Sequence, residues 1–328
     1  MMVSLLGLDP ASYAPSALHD AARTFRETNC YVDIWIELLH SLGIDPASAM
    51  AFACTVDFEG DQWTFFKPRP EELMRLYGID VHEMQLYRGT VDHIIEQLRA
   101  GRTITIETDS FYLPDTAVTA YRRAHVKSSI AVEAIDPDAQ RLRYFHGAGY
   151  YELSDDDYRG VFRLRPGGFP EDVLPPYVEM IRFDAGPRLG HEELQSCAGE
   201  TLRRELAYKP ARNPWVAFGE RLALDLPHLL DEPENAYHAY AFATVRQCGA
   251  AFEAAGSFVE WAFDGSSYAI TARDAFARQV SGAKALLFKL ARRRAFDPAP
   301  AIEQLAADWE IAMQSLDCLS RGAATGAP

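Results

Sequence analysis

The stretch TNCYVDIWIELLHSLG, residues 28–43, decides how the first half of this chain folds. Its apolar side chains recur at spacings of three and four residues, as on one face of an α-helix: Ile34, Leu38, Leu39 and Leu42. Gly43 provides a C-terminal stop for that helix. Thr28 or Asn29 is placed to act as its N-cap, so that Cys30 falls in the first turn.

Outside this helix, the residues up to about 185 alternate short β-type runs with turn residues. β-branched and aromatic side chains predict strands in three runs: TITIETDSFYL (103–113), SSIAVEAID (128–136) and RLRYFHGAGYYEL (141–153). The segment DPDA at 136–139 has the residues of a hairpin turn between the last two runs. A further helix is predicted for TVDHIIEQLRAG at 90–101. We therefore expect an antiparallel sheet accompanied by few helices.

From about residue 190 onward the pattern is helical almost throughout. The Pro/Gly-rich passage RLRPGGFPEDVLPPY at 163–177 ends the N-terminal region of short β-type runs. Long runs with a 3.6-residue apolar period follow it. The expected fold class is therefore α+β. Residues 1–188 are expected to form an α+β domain with an antiparallel sheet, and residues 189–328 an all-α helical bundle domain.

The composition excludes several functional classes. A net charge of −15 argues against nucleic-acid or anionic-membrane binding, because both need neutralisation of phosphate. No run of 18 apolar residues and no secretory leader occurs, so we expect a cytoplasmic protein. The five cysteines, at positions 30, 54, 197, 248 and 318, include no CxxC pair, which is typical neither of a disulfide framework nor of a zinc site.

Sequence signatures of cofactor chemistry are absent as well. The chain contains no GxGxxG, no phosphate-binding GxxxxGK[ST], no HExxH and no GxSxG. The histidines outside positions 125 and 146 lack metal-ligand spacing. We expect no cofactor and no bound metal.

Cys30 is the cysteine with the most suggestive setting. The unsatisfied N–H groups and the dipole of a helix N-terminus favour a thiolate there, and they can also receive an oxyanion formed when that thiolate attacks a carbonyl. For a single cysteine, the alternative of a small buried residue at a helix start stays open. The case for a nucleophile depends on the residues that follow.

A thiolate acyl-transfer site needs an imidazole that carries the proton and a third polar group that holds the imidazole. His125 opens the strand run HVKSSIAVEAID (125–136). The order of helix-borne cysteine, strand-start histidine and returning hairpin is that of papain-like folds. Two residues compete for the third role. Asp109 is a carboxylate at the end of the preceding strand, and His146 lies on the returning strand of the hairpin.

Several polar and aromatic residues are candidates for contact with a substrate. The segment DSFYLPDTAVTAYRRAH, residues 109–125, runs from the strand end to His125, and the loop DFEGDQWTFFKP, residues 57–68, is a second candidate. Five residues are predicted to line the substrate site: Asn29, Gln62, Tyr112, Tyr121 and Arg122. Asp115 is in the same segment. For each residue singly, a surface loop anchored by aromatics is the alternative.

The strings TNCYVDIWIELLHSLG, DFEGDQWTFFKP, DSFYLPDT and YFHGAGYYEL resemble an uncharacterised bacterial family of about this length. More distantly, the order of Cys30, the string DSFYLP, His125 and the hairpin resembles the N-terminal domain of the butirosin-biosynthesis acyltransferases, which is similar to papain-fold peptidases. Those proteins move an acyl group from a carrier-protein thioester to an amine. The resemblance implies that Cys30 accepts the acyl group and that His125 is the base. Asp109 falls on the aspartate of the DxYxLP-like string, here with the tyrosine one position later.

These observations predict a papain-like, cysteine-dependent acyltransferase that works through an acyl-Cys30 intermediate. Its expected partners are an acyl or aminoacyl carrier protein and a small-molecule amine acceptor, with no nucleic acid and no membrane. The carrier protein is implied by the resemblance to the butirosin-biosynthesis acyltransferases. The uncharacterised family that the chain resembles more closely is also associated with genes for carrier proteins and their amino acid ligases. Two alternatives remain: a cysteine peptidase or amidase with water as acceptor, and a non-catalytic papain-like binding module.

Overall fold

A computed structural model describes residues 1–164 and 174–325 of the chain, with side chains up to residue 321. Most of the Pro/Gly-rich passage at 163–177 therefore lies outside the described residues. The chain forms two compact units. The first comprises Met1–His19, Asn29–Gly43 and Pro70–Leu189, and the second comprises Asp20–Thr28, Ile44–Arg69 and Gly190–Pro328. The second unit thus includes two N-terminal segments that the sequence-based division at residues 188 and 189 does not foresee.

The first unit contains a seven-stranded antiparallel sheet. Its strands are β1 (Val3–Ser4), β2 (Asp80–Glu83), β3 (Arg102–Asp109), β4 (Lys127–Asp136), β5 (Arg141–His146), β6 (Gly149–Ser154) and β7 (Val178–Arg182). The spatial order is β2-β7-β3-β4-β5-β6, and β1 pairs with the far end of β4. The antiparallel sheet expected from the β-type runs is confirmed.

The β4–β5 hairpin lies where the sequence predicts it, because its turn residues stand between two runs of β-forming side chains. The structure divides the predicted strand at 141–153 into β5 and β6. Gly147, with a φ of +46°, makes the turn between them, since a backbone in the left-handed region suits glycine.

Among the described residues of this unit, four α-helices accompany the sheet: α1 (Cys30–Ser41), α2 (Pro70–Tyr77), α3 (Thr90–Arg99) and α4 (Asp155–Val161). The apolar core that includes α3 and α4 contains Ile130 and Val132 of β4. Helix α1 packs on β4 and β5, and its Cys30 contacts Ser129. Because neighbouring side chains of a strand point to opposite faces, α1 covers one face of the sheet, and α3 and α4 cover the other.

The described part of the second unit is helical apart from one isolated β-bridge between Phe58 and Trp63. Its helices are α5 (His191–Ser196), α6 (Ala198–Leu206), α7 (Pro214–Asp231), α8 (Glu234–Ala241), α9 (Gln247–Phe263), α10 (Ser267–Ala291) and α11 (Ala299–Thr325). A π-helical turn at Phe242–Arg246 connects α8 to α9, and a 3₁₀ segment spans Pro46–Thr55. The α+β class with a helical C-terminal region is confirmed. No helix within the described ranges has both the length and the apolar character needed to cross a bilayer.

Candidate functional site

His125 and Asp109 form a hydrogen-bonded pair at one end of the sheet. The Nδ1 atom of His125 lies 2.5 Å from the Oδ2 atom of Asp109. The imidazole also stacks on the ring of Phe111, with 4.5 Å between the ring centroids and an interplanar angle of 13°. The side chain of His125 is 69% exposed, so its Nε2 edge is accessible to a reacting group. An exposed imidazole held by a carboxylate has the arrangement of an oriented general base.

The local sequence explains how these two residues meet. Strand β3 ends at Asp109, whose carboxylate caps the following turn by accepting from the Phe111 N–H at 3.0 Å. Both the N–H and the hydroxyl of Ser110 donate to the carbonyl of Val126, at 2.9 and 2.7 Å. The loop between β3 and β4 is therefore closed at its base, and His125 comes back beside the end of β3.

Cys30 is the first residue of α1 and is partly exposed. Asn29 is the N-cap: its Oδ1 atom accepts from the N–H groups of Tyr31 and Val32, at 3.1 and 3.0 Å. The Sγ atom of Cys30 lies 3.8 Å from the hydroxyl of Ser129 on β4. The nucleophile candidate therefore has the helix-start position expected from the sequence, and a serine is its hydrogen-bond partner.

Cys30 and the His125–Asp109 pair lie on the same face of the sheet. In the β3–β4 ladder, Ser129 pairs with Glu107 and Lys127 pairs with Asp109, so these four side chains share a face. The ion pair of 2.8 Å between Lys127 and Glu107 agrees with that assignment. Ser129 contacts Cys30 and Asp109 binds His125, and the two pairing levels are two residues, about 7 Å, apart along the strands.

No hydrogen bond joins Cys30 to His125 among the residues that the structure describes. The catalytic pair of Cys30 and His125 therefore stays a prediction. Asp109 is the candidate third member that binds His125, whereas His146 has other partners.

His146 belongs to a separate buried network on the opposite face of the sheet. Its Nε2 atom lies 2.7 Å from the hydroxyl of Ser128, and its Nδ1 atom lies 2.5 Å from Oδ2 of Asp115. The hydroxyl of Tyr144 donates to Oδ1 of the same carboxylate at 2.5 Å. Ser128 immediately precedes Ser129, and strand alternation sends the two serines to opposite faces. The sequence analysis did not predict this Ser–His–Asp arrangement. The one signal for it was the pair of adjacent serines at 128 and 129, whose side chains must point to opposite faces of a strand.

The remaining predicted substrate residues are mostly engaged in packing or hydrogen bonding. Tyr112 is buried against Gly160 of α4. The hydroxyl of Tyr121 donates to Asp157 at 2.9 Å, and the guanidinium of Arg122 donates to the same carboxylate at 2.5 Å. Asn29 is buried as the N-cap of α1. Gln62 is exposed and belongs to the second compact unit.

A buried charged cluster lies along α1. The His19 imidazole contacts Glu37 through Nδ1 and Asp33 through Nε2, the latter at 3.3 Å. The hydroxyl of Tyr13 donates to Glu37 at 2.5 Å. Burial opposes the charged imidazole, but the hydrogen bonds to both carboxylates prevail and raise the pKa of His19 to about 9. His19 is therefore an imidazolium at neutral pH.

Asp33 lies one helical turn from Cys30. The spacing of residues 30, 33 and 37 in the sequence could have indicated that these three side chains share one face of α1.

The described residues contain no group of three or more histidine, cysteine, aspartate or glutamate side chains that could hold a metal ion. All five cysteines are free thiols. Burial raises the pKa values of the Cys54 and Cys248 thiols, which opposes thiolate formation at these two positions. Cys30, Cys197 and Cys318 are partly exposed.

Comparison with protein families gives two matches that follow each other along the chain. The DUF1839 N-terminal domain matches residues 14–183, and the DUF1839 C-terminal domain matches residues 191–318. The boundary between the two matches falls close to residues 189 and 190, where the second compact unit resumes. No curated protein matches the chain.

Proposed function

The chain belongs to the DUF1839 family, with both of its domains, and for it we propose a cysteine-dependent acyl transfer through an acyl-Cys30 intermediate. The observation that carries the proposal is the placement of an oriented imidazole and a helix-start thiol on one face of the sheet. His125 is held by Asp109, and Cys30 lies about two strand residues away along that face.

Asp109 sets the tautomer of His125 in this proposal. A carboxylate 2.5 Å from Nδ1 accepts the Nδ1 proton, so the lone pair of the neutral ring is on Nε2. That edge is exposed and takes the proton of Cys30. The transfer requires the thiol and Nε2 to come within hydrogen-bond reach when a substrate is bound, through adjustment of the loop that ends at His125.

The reaction has two balanced steps. In the first, His125 takes the Cys30 proton, Sγ bonds to the carbonyl carbon of a thioester, and the bond to the leaving sulfur breaks as that sulfur receives the proton. In the second, an amine nitrogen attacks the acyl-Cys30 carbonyl, the carbon–Sγ bond breaks, and His125 moves the amine proton to the thiolate. The dipole at the start of α1 favours the negative charge at each stage.

The acyl donor in this proposal is the thioester of an acyl or aminoacyl carrier protein, and the acceptor is a small amine. Support comes from the distant resemblance to the papain-like butirosin-biosynthesis acyltransferases and from basic residues close to His125. Arg123 is exposed there and suits an acidic carrier surface, whereas the exposed Arg122 and Lys127 are already paired with Asp157 and Glu107. The scattered free cysteines are in keeping with the reducing cytoplasm as the location of the reaction.

A hydrolase with the same residues is the second candidate, because the acceptor is selected by water exclusion rather than by the nucleophile. A non-catalytic binding module is the third. It differs from both enzymes in predicting that Cys30 is no more reactive than other accessible thiols.

Thiol labelling tests the nucleophile directly. Iodoacetamide at neutral pH, followed by peptide mass spectrometry, should modify Cys30 faster than Cys197 and Cys318, which are partly exposed as well. Cys54 and Cys248 are internal controls, since their buried thiols should stay unmodified. Equal rates at Cys30, Cys197 and Cys318 would favour the binding module.

Acyl transfer is tested with an acyl N-acetylcysteamine thioester as donor, with and without an added primary amine. A mass increase equal to one acyl group on Cys30, discharged by the amine to an amide, is the expected result. Cys30→Ser should lose turnover by at least about 10³-fold, whereas Cys197→Ser should keep it. Release of the free acid at an unchanged rate with amine present would identify the hydrolase, and full turnover by Cys30→Ser would end the proposal.

A further inference from the structure

The second unit has an apolar groove between helix α7 and the start of helix α11. Its volume is about 510 Å³, and most of its lining consists of small or apolar residues, among them Val216, Ala223, Pro298 and Ile302. Val216 and Ala223 are exposed, so the α7 wall of the groove presents its apolar surface to solvent. Exposed apolar surface of this kind is typical of a place where a partner binds.

The exposed apolar surface continues past the groove along α7. Leu224 lies one helical turn after Glu220 of the groove lining, and its side chain is exposed. A small ligand inside the groove would leave Leu224 in water, whereas a protein surface would cover it together with Val216. The continuation of the apolar surface therefore favours a protein as the occupant.

The charged residues of the groove lining are all acidic: Glu220, Asp297 and Glu303. Glu220 pairs with Arg212, and Asp297 caps α11 by accepting from the N–H of Ala299 at 2.9 Å. Glu303 is exposed and has no ion pair or hydrogen bond of its side chain within the part of the chain that the structure describes. A complementary surface should therefore carry an apolar side chain flanked by cations.

The end of α10 carries such a surface. Residues 275–296 contain six basic residues and no acidic one, although the chain has a net charge of −15. Lys284, Phe288 and Arg292 are four residues apart and form one ridge of the helix, called here the α10 ridge. Phe288 is 61% exposed. Lys284 and Arg292 are exposed as well, and neither has an acidic partner among the described residues.

We propose that the groove binds the α10 ridge of a second copy of this chain, with Phe288 in the groove and the two cations of the ridge beside its acidic rim. The ridge and the groove are neighbours, since four residues separate Arg292 from Asp297. A two-fold axis that passes between neighbouring patches places each ridge opposite the groove of the other copy. The contact is then made twice, and the assembly closes as a dimer.

This dimer does not depend on the chemistry at Cys30, because the residues of the groove and of the α10 ridge all belong to the second unit. Sedimentation velocity on the full-length chain measures the oligomeric state. The natural chain should change from monomer to dimer as its concentration rises to about 100 μM. A chain that stays monomeric up to that concentration would refute the proposal, and so would an open series of larger assemblies.

Two variants alter the two sides of the contact separately. Phe288→Ser removes the apolar side chain of the ridge, and Glu303→Lys reverses the free charge of the groove. Both positions are exposed, so the thermal unfolding temperature should stay close to that of the natural chain. Each variant should weaken self-association at least about tenfold. Phe242→Ser is the matched control for Phe288→Ser, because Phe242 is 54% exposed and lies outside both patches. It should associate as the natural chain does.

A mixing experiment tests whether the ridge and the groove bind each other. The double variant Lys284→Glu/Arg292→Glu reverses the charges of the ridge, and by itself it should remain monomeric, as should Glu303→Lys. An equimolar mixture of the two should form a dimer, because one contact is then natural and the other pairs reversed charges of opposite sign. A mixture that stays monomeric would overturn the proposal. Natural association in either Phe288→Ser or Glu303→Lys would do the same.

Discussion

The Nδ1 atom of His125 lies 2.5 Å from Oδ2 of Asp109, across the end of the β3–β4 ladder. The contact depends on a loop that leaves β3 and returns to β4 with its base closed by Ser110. It selects Asp109 over His146 as the group that orients His125. It also leaves Nε2 as the edge of the ring that is available for proton transfer.

Asp109→Asn tests that orientation. An amide in place of the carboxylate can donate to Nδ1, and it then favours the tautomer with the proton on Nε2, which cannot accept the Cys30 proton. We expect acyl transfer to fall by about 10²–10⁴-fold, with Cys30 still present as a thiol. The measurement is turnover of a thioester donor as a function of pH.

Glu107→Gln is the matched control for Asp109→Asn, because Glu107 lies on the same face of β3 and contacts Lys127 instead of His125. It should leave turnover within about threefold of the natural chain, as expected for loss of an exposed ion pair. Equal losses in the two variants would show that Asp109 has no special relation to His125.

Asp115→Ala tests the buried network on the opposite face. The substitution removes the acceptor of the Tyr144 hydroxyl, which would be left unpaired in the interior, and it removes one partner of His146. We expect the free energy of unfolding to fall by about 2–4 kcal/mol. Urea denaturation measures it, with Asp184→Ala as the exposed control, expected to stay within about 0.5 kcal/mol. A loss no larger than that of the control would show that water replaces Asp115 there.

The buried imidazolium of His19 predicts a pH dependence of stability. Its pKa in the folded chain is about 9, above the ordinary value of 6.5. A pKa raised on folding contributes stability that is fully present below about pH 6.5 and is lost as the pH rises through about 9. The difference in unfolding free energy between the natural chain and His19→Gln should therefore shrink between pH 6.5 and 9.5.

His82→Gln is the control for His19→Gln, since His82 pairs with Asp80 on the surface and its side chain is 59% exposed. Its effect should be small over the same pH interval. A difference between the natural chain and His19→Gln that stays constant with pH would mean that His19 is neutral in the folded chain.

Gly160→Ala tests the packing that holds Tyr112 in the core. A Cβ at position 160 would lie 2.1 Å from Cδ1 of the Tyr112 ring, closer than any real contact of that kind. The ring is buried and cannot move away freely, so we expect a loss of about 1–3 kcal/mol in unfolding free energy. Gly89→Ala is the comparison variant, because its Cβ would meet a single side-chain atom at 3.4 Å. Equal stability of the two variants would contradict the close packing.

The sequence predicts well those features that depend on neighbouring residues. The start of α1 at Cys30, its Asn29 cap and the β4–β5 hairpin all follow from side chains within a few positions of one another. Whether Asp109 or His146 orients His125 could not be predicted from neighbouring residues in this way. Residues 128 and 129 are adjacent in the chain, yet strand alternation places their partners on opposite faces of a sheet whose pairing is long-range.

By itself the sequence determined the α+β class, the helix that begins at Cys30 and the two histidines worth considering, because periodicity and capping are local properties. Tertiary structure alone decided that Asp109 binds His125, that Ser128 and Asp115 bind His146, and that Val216 and Ile302 line one groove between α7 and α11. Each of these contacts joins residues far apart in the chain. Such contacts arise when the burial of apolar side chains brings distant strands and helices together, and no short stretch of sequence records which partners will meet.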